Sequence, residues 1–263
     1  MMKGIIGGTT AGFFSIFRGT VGTFALAEQV NLEPVVIWND TLYNTNPKEN
    51  AWNYYFEPVG QINPEDKACS MHHHIMPREY STRVAMNQMI NKYVKVKPSI
   101  LARVDEIISQ LGENPLGVHI RMTDKYNCVR NGEPQSHYPL TVDHYKKHID
   151  LNLEKNDSKI FLATDDLEAL NQIEQAYGDK VIRADCTRST DKISIHHHMG
   201  GDKRQQGEEV LIDCLALSRC RHILKGVSNV ALCAMFWNLD LTCENLNSIY
   251  IGDTTEDFVG ERQ

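Results

Sequence analysis

The segment His119-Ile-Arg-Met-Thr-Asp-Lys125 gathers an imidazole, a guanidinium, a carboxylate and an ammonium within one short stretch. His119 and Arg121 alternate with the apolar Val118 and Ile120, and alternate residues of a strand share a face. Arg121 can fork onto two phosphate oxygens, and Lys125 adds a second point charge. Two other stretches carry complementary groups. Thr164-Asp-Asp166 ends in adjacent carboxylates, and Gly226-Val-Ser-Asn229 is a glycine turn into a helix. There the Ser228 hydroxyl and the free N–H groups of a helix start form an anion site. Each stretch also admits a plainer reading. A histidine flanked by apolar residues is commonly a satisfied core histidine. Arg121 could pair only with Asp124, and Asp165 and Asp166 could only cap the following helix. Taken together, the three stretches have the chemistry of a site for an anionic, phosphate-bearing ligand.

The elements that must position these groups are legible. Residues 116–122, 159–165, 181–185, 222–225 and 248–252 read as strands. Residues 141–153 (with Thr141 as N-cap), 166–177, 207–218 and 228–237 read as helices. Five strands alternating with four helices predict a doubly wound parallel sheet, and ligands of such sheets bind beyond the carboxyl ends of the strands. All three polar stretches fall at such ends. Ahead of this unit, Ile5 and Ile6 suit a short strand, and the glycines from Gly7 to Gly12 suit a turn. Apolar residues then recur at helical spacing from Phe13 to Val30, and Val35 to Trp38 form a second apolar run, which makes a βαβ unit. Pro34 is expected to close the connecting turn. Residues 40–80 read as long loops with short elements, and helices are expected at 80–93 and 98–112. The break near Glu113-Asn-Pro115 divides the chain into domains 1–113 and 114–263.

Composition narrows the function. The chain has 263 residues, and 27 Lys+Arg against 34 Asp+Glu leave a net charge of −7. That balance argues against broad nucleic-acid binding, which needs a basic face. No apolar run reaches the roughly 18–20 residues of a membrane span. Gly4, Gly7, Gly8 and Gly12 break the first stretch, so it does not read as a signal peptide. Seven cysteines without a Cys-x-x-Cys pair indicate neither a zinc site nor a disulfide framework. The expectation is a soluble, cytoplasmic protein with free thiols. His72-His-His74 and His196-His-His198 invite a metal reading. Consecutive histidines do not share a face of a helix or strand, so no metal is expected. The loop carrying His196–His198, with Lys203 and Arg204 after it, either reaches a phosphate or is simply solvated.

The pattern His-x-Arg-x-Thr-Asp-Lys at residues 119–125 resembles the central motif of the GDP-fucose-dependent fucosyltransferases, the superfamily of α1,6- and protein-O-fucosyltransferases and the rhizobial nodulation enzymes. Phe161-Leu-Ala-Thr-Asp-Asp166 resembles that family's strand ending in Thr-Asp-Asp. Glu208 to Asp213, with Leu217-Ser218 and Val227-Ser-Asn229, resembles its closing motif, and Ala11 to Phe17 with Pro34 to Trp38 its first βαβ unit. The family often has a second Arg where this chain has Met122, and a second Ser where it has Asn229. The resemblance implies an α/β fold of GT-B type, two Rossmann-like domains facing each other across a cleft that holds the active site. It implies that Arg121 binds the diphosphate of GDP-fucose, and that His119 and Asp213 contact the nucleoside. Asp165 and Asp166 would line the donor pocket. Ser228 and Asn229 would hold phosphate, and Gly12 and Phe13 would face the diphosphate across the cleft. Asp124 and Lys125 match positions that support catalysis.

The expected reaction is an inverting, metal-independent transfer of L-fucose from GDP-fucose to a glycan or glycosylated acceptor, with no cofactor. Arg121, Lys125 and the helix start at 228–229 would stabilise the departing diphosphate. Glu133, in the loop after the motif, is the expected general base, with Asp124 second and an exposed loop carboxylate as the plain alternative. One rival is a nicotinamide oxidoreductase, since Gly7-Gly8 and Gly12 open a helix after a strand and Asp40 stands past the second strand. The dinucleotide-binding glycine spacing is not met, however. A non-catalytic nucleotide- or glycan-binding protein is the other rival. Trp52, Tyr54, Tyr55 and Phe56 would stack on sugar if exposed and fill the core if not.

Overall fold

The computed structural model describes residues 2–71, 83–123, 129–130, 133–134, 140–191, 193–195 and 201–247. The chain divides into two compact units, Met1–Ala102 with Gly201–Val210, and Arg103–Gly200 with Leu211–Gln263. The division falls within a helix rather than at the Glu113–Pro115 loop, and a segment of the later chain joins the first unit.

In the first unit, strand β1 (Lys3–Gly7) runs through a glycine turn into helix α1 (Phe13–Gln29), and β2 (Glu33–Ile37) returns parallel to β1. Pro34 is not a stop but a strand residue. The sheet order is β2-β1-β3, so Pro34 sits on an edge strand, where a missing N–H is tolerated. Gly12, at the N-cap of α1, has no side chain to cap the helix. The hydroxyl of Tyr43 does so instead, accepting the Phe13 N–H at 2.9 Å. The apolar stripe of α1 places Phe13, Phe17 and Phe24 against Trp38, Trp52 and Phe56, all fully or almost fully buried. Each buried indole N–H finds an acceptor, Trp38 in Thr20 Oγ1 at 3.1 Å and Trp52 in the Glu57 carbonyl at 2.9 Å. The aromatic run 52–56, which includes the short helix α2 (Trp52–Tyr55), is therefore core and no sugar platform. Strand β3 (Ala68–Met71) adds to β1 in parallel, and helices α3 (Arg83–Tyr93) and α4 (Pro98–Leu111) follow close to the predicted positions.

The second unit is a five-stranded, all-parallel sheet. Its strands are β4 (Leu116–Ile120), β7 (Ile160–Thr164), β8 (Val181–Ile182), β9 (His222–Lys225) and β10 (Thr242–Asn245), in the order β10-β9-β4-β7-β8. Two short strands, β5 (Val129–Arg130) and β6 (Glu133–Pro134), pair antiparallel outside it. Helices α5 (Val142–Leu153) and α6 (Leu167–Tyr177) cover one face, burying Leu116, Val118 and Ile120 of β4 against Tyr145, Ile149, Leu170 and Ile173. Thr141 caps α5 as predicted, within a capping box completed by His144. Helices α7 (Lys203–Ser218) and α8 (Asn229–Trp237) complete the crossovers to β9 and β10.

Several boundaries differ from those predicted. The last strand among the described residues is 242–245, and the strand expected at 248–252 lies outside them. β8 covers only 181–182, because the Arg188 guanidinium donates to the carbonyls of Ala184 and Cys186, groups that a longer strand would spend on the sheet. α7 starts at Lys203 rather than 207, because the Asp202 carboxylate accepts the N–H groups of Arg204 and Gln205.

Candidate active site

The carboxyl ends of β4, β7 and β9 are adjacent in the second sheet. The parallel register sets Ile120 beside Thr164 and His119 beside Lys225. The polar residues that follow these strands, Arg121, Asp165, Asp166, Ser228 and Asn229, therefore share one edge of one sheet. The sequence expectation that they converge is met at the level of the sheet.

Asp165 does not stand open in this edge. Its carboxylate accepts the Met122 N–H at 3.1 Å and the Thr123 hydroxyl at 2.6 Å, which ties the end of β7 to the segment leaving β4. Arg121 is the residue just before that tie. Asp166 is 1% exposed and caps α6, accepting the Ala169 N–H at 2.8 Å, while its own N–H donates to Thr164 Oγ1. Its plainer reading as a helix cap is thus what the geometry realises.

His119 is buried on the central strand, and its Nδ1 has no hydrogen-bond partner among the described residues. Burial, with the positive charges of Arg121 and Lys225 beside it, pushes its pKa down to about 3. The ring is neutral at physiological pH and keeps an unused nitrogen, so the satisfied core histidine is not what is found. Such a buried orphan is a group awaiting a partner.

Ser228 caps α8. Its hydroxyl oxygen accepts the Val230 N–H at 3.1 Å and still has a proton to donate. The turn before it is held from the segment just after β10, where Asn247 Oδ1 accepts the Val227 N–H at 2.9 Å. A Cβ on Gly226 would come within 2.8 Å of that same oxygen, so glycine is required for the close approach. Asp213 lies on α7, largely buried, with the Cys186 thiol donating to it at 3.8 Å.

Other expected site residues are placed elsewhere. Gly12 and Phe13 belong to the first unit, where the Phe13 N–H is taken by Tyr43 and its ring is buried among aromatic side chains. The Glu133 backbone pairs with Arg130 in the short antiparallel ladder. Asp124, Lys125 and both histidine triplets lie outside the described residues. Lys203 is half-buried, with its pKa lowered by that burial, and the Arg204 guanidinium lies over the Tyr54 ring at 4.9 Å. Reading the sequence alone missed Thr123, Asn247 and Lys225. Thr123 lay within the quoted motif, and Lys225 closed the predicted strand 222–225 without being singled out.

Chemically, the edge offers a fixed cation in Arg121, a neutral imidazole, a hydroxyl at a helix start and carboxylates that organise the backbone. That set suits a ligand combining phosphate with hydrogen-bonding groups.

The sequence profile of alpha-(1,6)-fucosyltransferase N- and catalytic domains matches residues 48–245. No curated protein matches the chain in sequence. Among solved structures, fucosyltransferase NodZ from Bradyrhizobium is 16% identical, with a TM-score of 0.59, covering 90% of this chain and 92% of its own. NodZ alpha-1,6-fucosyltransferase soaked with GDP-fucose gives 17% and 0.61 over 90% and 92%. POFUT1 in complex with GDP gives 12% and 0.51 over 92% and 98%. These likenesses establish the α/β, GT-B fold. With the profile spanning most of the sequence, the chain belongs to the alpha-(1,6)-fucosyltransferase catalytic-domain family of glycosyltransferases.

Proposed function

We propose that the protein transfers L-fucose from GDP-fucose to a glycan or glycosylated acceptor, by single displacement with inversion and without a metal ion. The observation that carries this reading is the edge at β4, β7 and β9, where Arg121 is mounted on a backbone that Asp165 holds in place and lies beside a neutral His119 with an unused nitrogen. Proteins of similar fold were crystallised with GDP or soaked with GDP-fucose, which supports this reading.

The central difficulty of the reaction is charge on the leaving diphosphate. Arg121, with the Ser228 hydroxyl and the start of α8, supplies preorganised donors to meet it. His119 serves the nucleoside as a neutral hydrogen-bonding group. Lys125 and Asp124 assist at the reacting centre, and Glu133 takes the acceptor proton. The described thiols are all free, which suits a reducing compartment such as the cytoplasm. Among the described residues no helix is long and apolar enough to cross a membrane.

A thermal-shift panel of nucleotides tests the donor. GDP stabilises the protein and NAD does not; the reverse result returns the oxidoreductase reading. Transfer of labelled fucose is then measured with and without a chelator. Arg121→Ala is expected to lower transfer by about a hundredfold or more, and activity within a few-fold of wild type would refute the assignment.

A further inference from the structure

β9 ends at Lys225, and its register places this lysine directly beside His119 of β4. Paired residues of parallel strands put their side chains on the same face of the sheet. Two residues earlier on that face, a Cβ at Gly117 would meet Ile223 on β9, together with Leu217 at the end of α7 and Cys220 just after it. This is the face opposite α5 and α6. At that level it is sealed by apolar side chains, and one step nearer the carboxyl edge it carries two nitrogen-bearing side chains side by side.

Lys225 is 8% exposed. Lysines are seldom this buried without a counter-charge, because taking an ammonium out of water is costly unless it is paired. Among the described residues no carboxylate supplies one. Among the described residues the Cys243 thiol on β10 acts to raise its pKa, and burial outweighs that effect and lowers it. Its register neighbour on β4, His119, has an orphaned ring nitrogen and feels the charges of both Lys225 and Arg121. The edge thus concentrates positive charge and unmet hydrogen-bonding capacity a few residues before the Ser228 hydroxyl at the start of α8. A diphosphate has enough oxygens, spaced over two phosphorus centres, to meet both the Lys225 ammonium and the helix start at Ser228.

We infer that Lys225 is a binding residue for the diphosphate of the nucleotide sugar, an assignment that rests on the donor reading above. The ammonium is held desolvated at the strand end, where an incoming diphosphate supplies its missing counter-charge.

The test compares wild type, Lys225→Met and Lys225→Arg by calorimetric titration with GDP and with guanosine, together with the melting temperature of each protein free of ligand. Lys225→Met is expected to weaken GDP by about tenfold or more, the size of a lost charge-assisted hydrogen bond. It should leave guanosine within about twofold and hold or raise the ligand-free melting temperature, since an apolar side chain of similar length removes a buried charge. Lys225→Arg should recover part of the GDP affinity. An unchanged GDP affinity would overturn the assignment, as would an equal loss for guanosine. A lowered melting temperature with both ligands weakened would make Lys225 a structural residue and refute it too. If wild type binds a different nucleoside diphosphate and not GDP, the fucose-donor reading falls, and Lys225 is judged by the same comparison using that nucleotide and its nucleoside. If it binds no nucleoside diphosphate, both readings fall.

Discussion

The carboxylate of Asp165 grips the hydroxyl of Thr123 at 2.6 Å while also accepting the Met122 N–H at 3.1 Å. A strand that ends just before Arg121 would otherwise leave the following residues free to swing. The two bonds fix that exit from β7, the neighbouring strand. Asp165 is therefore placed to act as a positioning residue for Arg121. Asp165→Ala is expected to cost transfer roughly tenfold or more, in the range of a broken buried network. The revealing measurement is a double-mutant cycle. If Asp165 acts through Arg121, the double variant Arg121→Ala/Asp165→Ala will be scarcely worse than Arg121→Ala alone. Full additivity would show that the two act independently.

Thr123→Val tests the same tie from the other side. It removes one hydroxyl and keeps the shape, leaving a half-buried carboxylate oxygen without that donor. A stability loss of about 1–3 kcal/mol is expected from chemical denaturation, with a smaller loss of transfer than Asp165→Ala because the Met122 N–H bond survives.

His119 makes folding sensitive to acid. Its pKa is held down at about 3 in the folded protein against an ordinary 6.5, because the charged ring would be desolvated and placed beside Arg121 and Lys225. Below pH 6.5 the unfolded chain takes up a proton that the folded protein refuses, so stability falls as pH falls from 6.5 towards 3. The slope contributed by one such group approaches about 1.4 kcal/mol per pH unit. His222, whose pKa is also lowered by burial, contributes in the same direction. Urea unfolding at pH 7.5 and pH 5 should therefore show a decline in wild type that His119→Gln reduces by about 1–2 kcal/mol. An unchanged decline would mean that His119 titrates normally.

Asp166 and Asp165 are adjacent in sequence and separable in role. Asp166→Ala removes the α6 cap and is expected to cost about 1 kcal/mol, a few degrees in melting temperature. Asp166→Ser should restore most of that, because serine also caps. GDP affinity should follow neither change. If it drops sharply while Asp166→Ser remains stable, Asp166 touches the donor after all.

Gly207 has a different reason to be glycine. A Cβ there would collide with the ring and hydroxyl of Tyr55, which is fully buried and donates to the Arg204 carbonyl. Gly207→Ala is expected to destabilise by about 1–3 kcal/mol through overpacking, whereas Gly112→Asn, at a left-handed helix end with open space around it, should be tolerated.

Much of this fold is written in local patterns. β4, β7 and β9 are apolar runs, and α5 and α6 announce themselves through Thr141 and Asp166. What escaped were elements whose identity is set by neighbours. β3, Ala-Cys-Ser-Met, has no strand-like alternation and is a strand because β1 offers an open edge. β10, Thr-Cys-Glu-Asn, is half-exposed and polar, so its pairing with β9 is invisible in composition. Within the site, motif residues could be named from spacing, but their division of labour could not. Asp165 and Asp166 look equivalent until one is seen holding Thr123 and the other a helix end. The burial of Lys225 is not legible in the sequence because it comes from strands β4 and β10 on either side, far away in sequence or not strand-like.

The pairing of His119 with Lys225 also constrains how the molecule comes into being. The two residues are strand neighbours, yet 225 − 119 = 106 positions separate them along the chain. β4 is the central strand, with β7 on one side and β9 on the other. Until β9 has been synthesised and docked, β4 presents an unprotected hydrophobic edge, a hazard for aggregation in a nascent chain. Parallel pairing over so long a connection is also slow to form. The proposed donor site is thus among the last parts of the second unit to form, and a chain cut short before β9 would lack that edge and expose β4.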